Sequence, residues 1–334
     1  MYDHGHITMI IKTNKMMAMI LNSIGVYATS EKSARYTVMH PDTELELTLY
    51  EKWTNIIEKL IVKQYPNIDE KQAHKLGMEN ARYMISVFTP TTMMYTVSFR
   101  QAFLICDYLE KLCKDCEMLT DNFSKKLGEY AYELADQLRN QIGIARLHDN
   151  KNQNFRFLEY QNFKKVTTSK KEVIADSYTV SYAGSLAMLA QAQRHRTIRY
   201  SMMFNGDYKL YGFYVPTIIS NNNLESEWLN DMESVAYCFP QGIKVRITEQ
   251  GIFEDFALKC KERLCGRAQL EVAKTTEMIM KIFLNNKDRL CEENKKLLES
   301  MTHDDTPNAR CMFDDFNCAE GCIWGSNGAL TRNI

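Results

Sequence analysis

From position 49 onward, apolar side chains return at steps of three and four: Leu49, Trp53, Ile56, Ile57, Leu60 and Ile61. That spacing is one stripe of a helix, and it predicts a helix ending near Tyr65-Pro66, with "TELELTLYEKW" as its amphipathic opening. Ahead of it, "HITMIIKTN" is short and rich in Ile, the pattern of an opening strand. A second helix is predicted after Asn67, where "IDEKQAHKLGMENARYM" carries acids in its first turn. The β-branched and aromatic "TTMMYTVSF" then predicts a strand, "RQAFLICDYLEKLC" a helix, and residues 120–147 another long helix.

Between Arg146 and Val173 the periodicity is lost and Asn and Lys accumulate, which reads as a connector. Beyond it, "SYTVSYAGSLAMLAQAQRHR" starts as a strand and runs into a helix of small residues. "GFYVPTIIS" and the polar "NNNLESEW" precede a further helix, "IKVRIT" reads as a strand, and residues from about Gly251 to Phe283 read as one long helical stretch. Helices outnumber strands and both kinds occur on each side of the connector, so the expected class is α+β. The expected units are residues 1–150, residues 151–300 and an irregular tail, 301–334.

Charge narrows the function. Lys and Arg number 41 against 42 Asp and Glu, so no global field draws the chain to nucleic acid or an acidic membrane. With no basic leader and no apolar run approaching a membrane span, the expectation is a soluble cytoplasmic protein without membrane or nucleic-acid partners. Against this balance, "QAQRHRTIRYS" places Arg194, His195, Arg196 and Arg199 within six positions. Such a cluster can be a solvated helix face, a nucleic-acid groove or a seat for a small anion, because guanidinium forks match phosphate oxygens. The usual dinucleotide means is missing, since the 14 glycines nowhere form GxGxxG or GxxxxGK[ST].

Three stretches together resemble the flavin-dependent thymidylate synthase family. "AQRHRTIRYS" is similar to its Arg-His-Arg signature, residues 79–103 ("ENARYMISVFTPTTMMYTVSFRQAF") to its Ala-Arg-x-x-Leu-Pro element, and residues 262–274 ("ERLCGRAQLEVAK") to its Arg-x-x-x-Arg-Ala-Gln-Trp-Glu-Ile helix. The order is unusual, because the Ala-Arg stretch with Arg82 and Arg100 precedes the Arg-His-Arg segment here. A weaker copy recurs at residues 234–251, with Phe239-Pro240 in place of Leu-Pro and no Arg after it. This suggests a diverged internal duplication of two related lobes, each keeping part of a site. The segment after Arg196 also departs from the family: Phe204 and Gly206 stand where its Ser and Arg would fall, unless Arg199-Tyr200-Ser201 closes a shortened motif.

The resemblance implies a small antiparallel sheet of that fold type and a reaction making dTMP from dUMP. The flavin FAD, the reductant NADPH and the carbon donor methylenetetrahydrofolate would take part, in a homo-oligomer. Alternatives are a related flavoenzyme on a different pyrimidine nucleotide and a non-catalytic scaffold. By resemblance, Arg194, His195 and Arg196 hold FAD, while Gln193, Arg199, Ser201 and Arg82 serve the nucleotide. Arg100 and Arg267 act on the reacting uracil and phosphate. Arg82 and Arg267 equally suit buried ion pairs with Glu79 or Glu271. In the tail, Cys311, Cys318 and Cys322 with His303 offer zinc ligands at irregular spacing, and Cys113 and Cys116 have CxxC spacing inside a helix. Reduced thiols and no metal are expected.

Overall fold

The computed structural model describes residues 4–24, 26–31, 37–143, 174–316, 318 and 322–334; the expected connector falls outside them. The class is α+β, with small antiparallel sheets among helices. Strand β1 (His6–Asn14) leads into helix α1 (Lys15–Leu21), then β2 (Ala28–Glu31), α2 (Glu44–Gln64), α3 (Glu70–Ala81), β3 (Pro90–Ser98), α4 (Phe99–Glu117) and α5 (Asn122–Ile142). The same series begins again with β4 (Ser177–Ser185), α6 (Leu186–Ala192), β5 (Arg199–Met203), α7 (Thr217–Ser220), α8 (Glu225–Ser234), β6 (Lys244–Ile252), α9 (Phe253–Arg263) and α10 (Leu270–Leu284). Helix α11 (Glu292–Glu299) and a two-strand turn at 302–307 lead into the tail.

The two series are one unit used twice. Their sheets have equivalent orders, β1-β3-β2 and β4-β6-β5. Asn14 caps α1 by accepting from the Met17 amide at 2.9 Å, and Ser185 caps α6 from Met188 at 3.0 Å. Just inside each cap, Lys15 N to Thr89 O (3.0 Å) and Met16 N to Val87 O (2.8 Å) recur as Leu186 N to Ile243 O (3.1 Å) and Ala187 N to Gln241 O (3.0 Å). The bond from Phe99 N to Gly5 O recurs from Phe253 N to Asp176 O. This register matches residues 79–103 with 233–257, and it pairs Arg82 with Ala236 in two three-residue 3-10 turns.

An approximate two-fold axis joins the repeats. Ser86 faces Pro240 in an antiparallel bridge. On either side, Val87 N donates to Phe239 O at 2.9 Å and Gln241 N to Ile85 O at 2.8 Å. One apolar core runs across this seam, from Trp53 against Trp228 (ring centroids 4.9 Å apart) to Phe123 against Phe239 (5.2 Å). A second core gathers Phe253, Phe256, Phe283 and Tyr178 beneath the second sheet. The seam sets α1 and α6 on opposite sides of the axis, and the cavity described below opens there.

One reading changes. The stretch from Gly251 to Phe283 is not one helix: β6 continues to Ile252, α9 ends at Arg263, and α10 begins only at Leu270. Gln269, the N-cap residue of α10, has extended backbone, which frees its side chain for polar contacts. Among the described residues no helix is long and apolar enough to cross a membrane.

Candidate functional site

A cavity of about 230 Å³ lies at the two-fold seam, with α1 and the end of β2 on one side and α6 on the other. Lys15, Arg82, Arg194 and Arg263 line it against a single carboxylate, Glu31. Cationic side chains thus outnumber carboxylates in its lining. Both repeats are required, since Lys15, Asn22, Glu31 and Arg82 come from the first and Gln191, Gln193, Arg194 and Arg263 from the second.

The two-fold mates of these residues show how unequally the two repeats line the cavity. Arg82 is matched by Ala236, Lys15 by Leu186, Arg263 by Leu109, Gln191 by Ile20 and Gln241 by Val87. At these positions one repeat presents a polar or charged group to the cavity and the other an apolar one. Taking a charge out of water is costly even when it is paired, so the cations stand out against their apolar mates.

A fixed chain of hydrogen bonds orients the wall. Glu271, fully buried, accepts from the Ser185 amide (2.8 Å), the Ser185 hydroxyl (2.5 Å) and the Tyr83 hydroxyl (2.9 Å). Burial raises its carboxyl pKa, and these donors oppose that rise. Having donated to Glu271, the Tyr83 hydroxyl must accept from Gln269 Nε2, so Gln269 Oε1 is the atom facing Arg82 Nη2 and Gln191 Nε2. Gln191 is thereby set with its carbonyl oxygen unpartnered.

On the opposite wall, Glu31 accepts from Lys15 at 2.7 Å, Asn22 at 3.3 Å and Arg194 at 3.3 Å. Burial lowers the Lys15 pKa and Glu31 counters it.

His195 sits behind the cavity and accepts from Arg263 Nε through its own Nε2 at 2.9 Å, while Arg263 Nη2 donates to Gln191 O at 3.2 Å. Burial, then the charges of Arg263 and Lys259, depress its pKa from the ordinary 6.5 to about 3. The ring is therefore neutral at physiological pH with its proton on Nδ1, and it positions Arg263. A consequence follows for stability. Between pH 6.5 and 3 the unfolded chain binds the proton that the folded chain refuses, so stability held above about pH 6.5 is lost as pH falls. The ceiling is about 1.4 kcal/mol per pH unit, lowered by partial exposure. His195→Gln is expected to flatten this slope in denaturant titrations between pH 4 and 7; an unchanged slope would contradict the assignment.

The sequence-derived candidates divide. Arg82, Gln193 and Arg194 line the cavity, and His195 touches it through Arg263. Arg196 lies over the Tyr27 ring, 4.0 Å from its centroid, and donates to Tyr27 O at 3.3 Å. Arg199 and Ser201 lie on β5, Arg199 exposed and Ser201 buried. Arg100 occupies the first turn of α4. Arg267 lines a separate cavity of about 330 Å³ with Trp324 and Arg332. Reading by motif missed Lys15, Asn22, Glu31, Gln191, Arg263 and Gln269. Gln191 opened the quoted "QAQRHRTIRYS", and Arg263 and Gln269 lay inside residues 262–274, where the Arg-x-x-x-Arg-Ala-Gln spacing held the signal. In the tail, burial and then the neighbouring thiols of Cys322, Cys318 and Cys265 raise the Cys311 pKa. Among the described residues no three His, Cys, Asp or Glu side chains form a metal-holding group.

Fold and site together define a two-fold repeated α+β protein with one composite cationic cavity at its seam. No family model, curated protein or solved structure matches the chain.

Proposed function

We propose that this protein is a flavin-dependent thymidylate synthase-like enzyme that binds dUMP at the two-fold seam and converts it to dTMP. The observation that carries the reading is the convergence, in one cavity, of Arg82 from the Ala-Arg stretch with Gln193 and Arg194 from the Arg-His-Arg segment. Arg82, buried and held by Gln269, and Arg263, half-buried and held by His195, suit a phosphate or a charge developing on the pyrimidine, as preorganised cations do. Buried carboxamide oxygens suit a base, whose N–H groups need acceptors.

The donor set also fits FAD. Arg194, half-exposed at the rim, and Arg196, flat on Tyr27, offer two forks for its diphosphate, and the rest of so large a group would extend beyond a cavity of about 230 Å³. When bound, the flavin supplies hydride drawn from NADPH, and methylenetetrahydrofolate supplies the carbon. The chain's own residues bind and orient: Glu31 holds Arg194, His195 holds Arg263, and Gln269 holds Arg82. Because the chain already contains two repeats, two copies would present the number of repeats that four single-repeat subunits do.

A second reading, a deoxycytidine nucleotide as substrate, is favoured by the unpartnered carboxamide oxygens of Asn22, Gln191 and Gln193, since an exocyclic amino group brings two N–H donors. Tritium release from 5-labelled dUMP against 5-labelled dCMP separates the two. Release from dUMP alone is expected, and release from neither would contradict the enzyme reading.

A further inference from the structure

Asn22 and Gln193 are two-fold mates. Each follows the last residue of its helix, α1 or α6, and the backbone bonds agree: Asn22 N to Ala18 O at 2.9 Å, Gln193 N to Leu189 O at 3.0 Å. At Lys15, Gln191, Arg82, Arg263 and Gln241 the repeats have diverged to polar on one side and apolar on the other; at this position both have kept a carboxamide. Both side chains are more than nine-tenths buried, at 3% and 6% exposure, both line the cavity, and both carbonyl oxygens lack a hydrogen-bond partner. A buried carbonyl left unpaired is expensive, and a pair of them at symmetry-related positions on one cavity wall asks for donors from a ligand.

Asn22 is the better defined of the two. Its Nδ2 donates to Glu31 Oε2, and a carboxylate accepts only, so the amide cannot be turned over and Oδ1 is the atom left without a partner at the cavity wall. Gln193 has no such anchor and can present either face of its amide.

Resting on the nucleotide reading above, we infer that Asn22 is a specificity-determining residue that reads the base: its Oδ1 accepts the N3–H of a uracil ring, while the Gln193 amide, turned so that Nε2 faces the ring, donates to the neighbouring carbonyl. In dUMP the N1 position is taken by the sugar, so N3–H is the base's one N–H donor. The N-terminal repeat, which carries no Arg-His-Arg segment, thus supplies the residue that identifies the base.

The test compares dissociation constants for dUMP and N3-methyl-dUMP with the full chain, wild type and Asn22→Ala, by calorimetry. The wild type is expected to prefer dUMP by at least about ten-fold, and Asn22→Ala to bind dUMP about ten-fold more weakly while losing that preference, because it has no acceptor to leave unpaired. Asn22→Leu, which keeps about the same side-chain volume and removes the acceptor, should do the same if the alanine variant folds poorly. Retention of the full preference in both variants, or equal affinity of the wild type for both ligands, would overturn the role of Asn22. Binding of neither ligand by the wild type would overturn the nucleotide reading, and this inference with it.

Discussion

Lys259→Met is expected to lower the stability of the folded protein by about 3–5 kcal/mol. The Lys259 ammonium and the Glu249 carboxylate are both fully buried and 2.6 Å apart, and Glu249 also accepts from the Tyr178 and Tyr182 hydroxyls at 2.8 and 2.7 Å. Removing the ammonium alone leaves a carboxylate in the interior with two neutral donors, which is the expensive half of a broken pair. The two-fold mates of these residues are Ile105 and Tyr95, so the fold itself has no need of the pair. Glu249→Gln combined with Lys259→Met should therefore recover at least about half of the loss, since the amide keeps an acceptor for a tyrosine and no charge remains. Urea midpoints for the single and double variants check this. A double variant as unstable as the sum of its parts would show that the pair is not coupled in this way.

Arg82→Ala, which installs the residue of the two-fold mate Ala236, is expected to weaken dUMP binding by at least about 100-fold. Truncating one partner of a buried, hydrogen-bonded charge interaction costs about 2–5 kcal/mol, and 2.7 kcal/mol is already two decades in affinity. Arg82 is 6% exposed, faces the cavity and is aimed by Gln269, so its guanidinium has little room to be replaced by solvent. Arg100→Ala is the internal control, because Arg100 does not line this cavity. Equal losses in the two variants would contradict the placement of the site. Calorimetric titration of each variant with dUMP decides it.

Much of the backbone was legible because its patterns are local. The stripe from Leu49 predicts α2, the Ile-rich opening predicts β1, and "TTMMYTVSF" predicts β3. Helix α1 was not legible: its residues 16–21 are all buried, so "MMAMIL" has no polar face to set a period. Strand β5 was hidden by the arginines around its start and by Met202 and Met203, which lack the β-branched side chains that mark a strand. The break between α9 and α10 was invisible because apolar spacing continues through "RLCGRAQLEVAK", and only tertiary contacts of Leu264 and Gln269 end one helix and start the next.

The site followed the same division. The run around Arg194 announced itself by local charge density. Lys15, Asn22 and Glu31 are single polar residues in apolar or short elements, and no spacing connects them to residues some 170 positions away; the two-fold seam does. The duplication is the intermediate step. Once the register of the repeats is known, a cation opposite an apolar mate becomes a signal, as Arg82 opposite Ala236 and Arg263 opposite Leu109 show.

One composite nucleotide site per chain, shared with a flavin, is what the visible absorption spectrum of the protein, equilibrated with FAD and titrated with dUMP, would reveal. A bound flavin band that shifts with dUMP and saturates at one nucleotide per chain is the result predicted. A protein that stays colourless and takes up no dUMP, or a shift that saturates at two per chain, would contradict it.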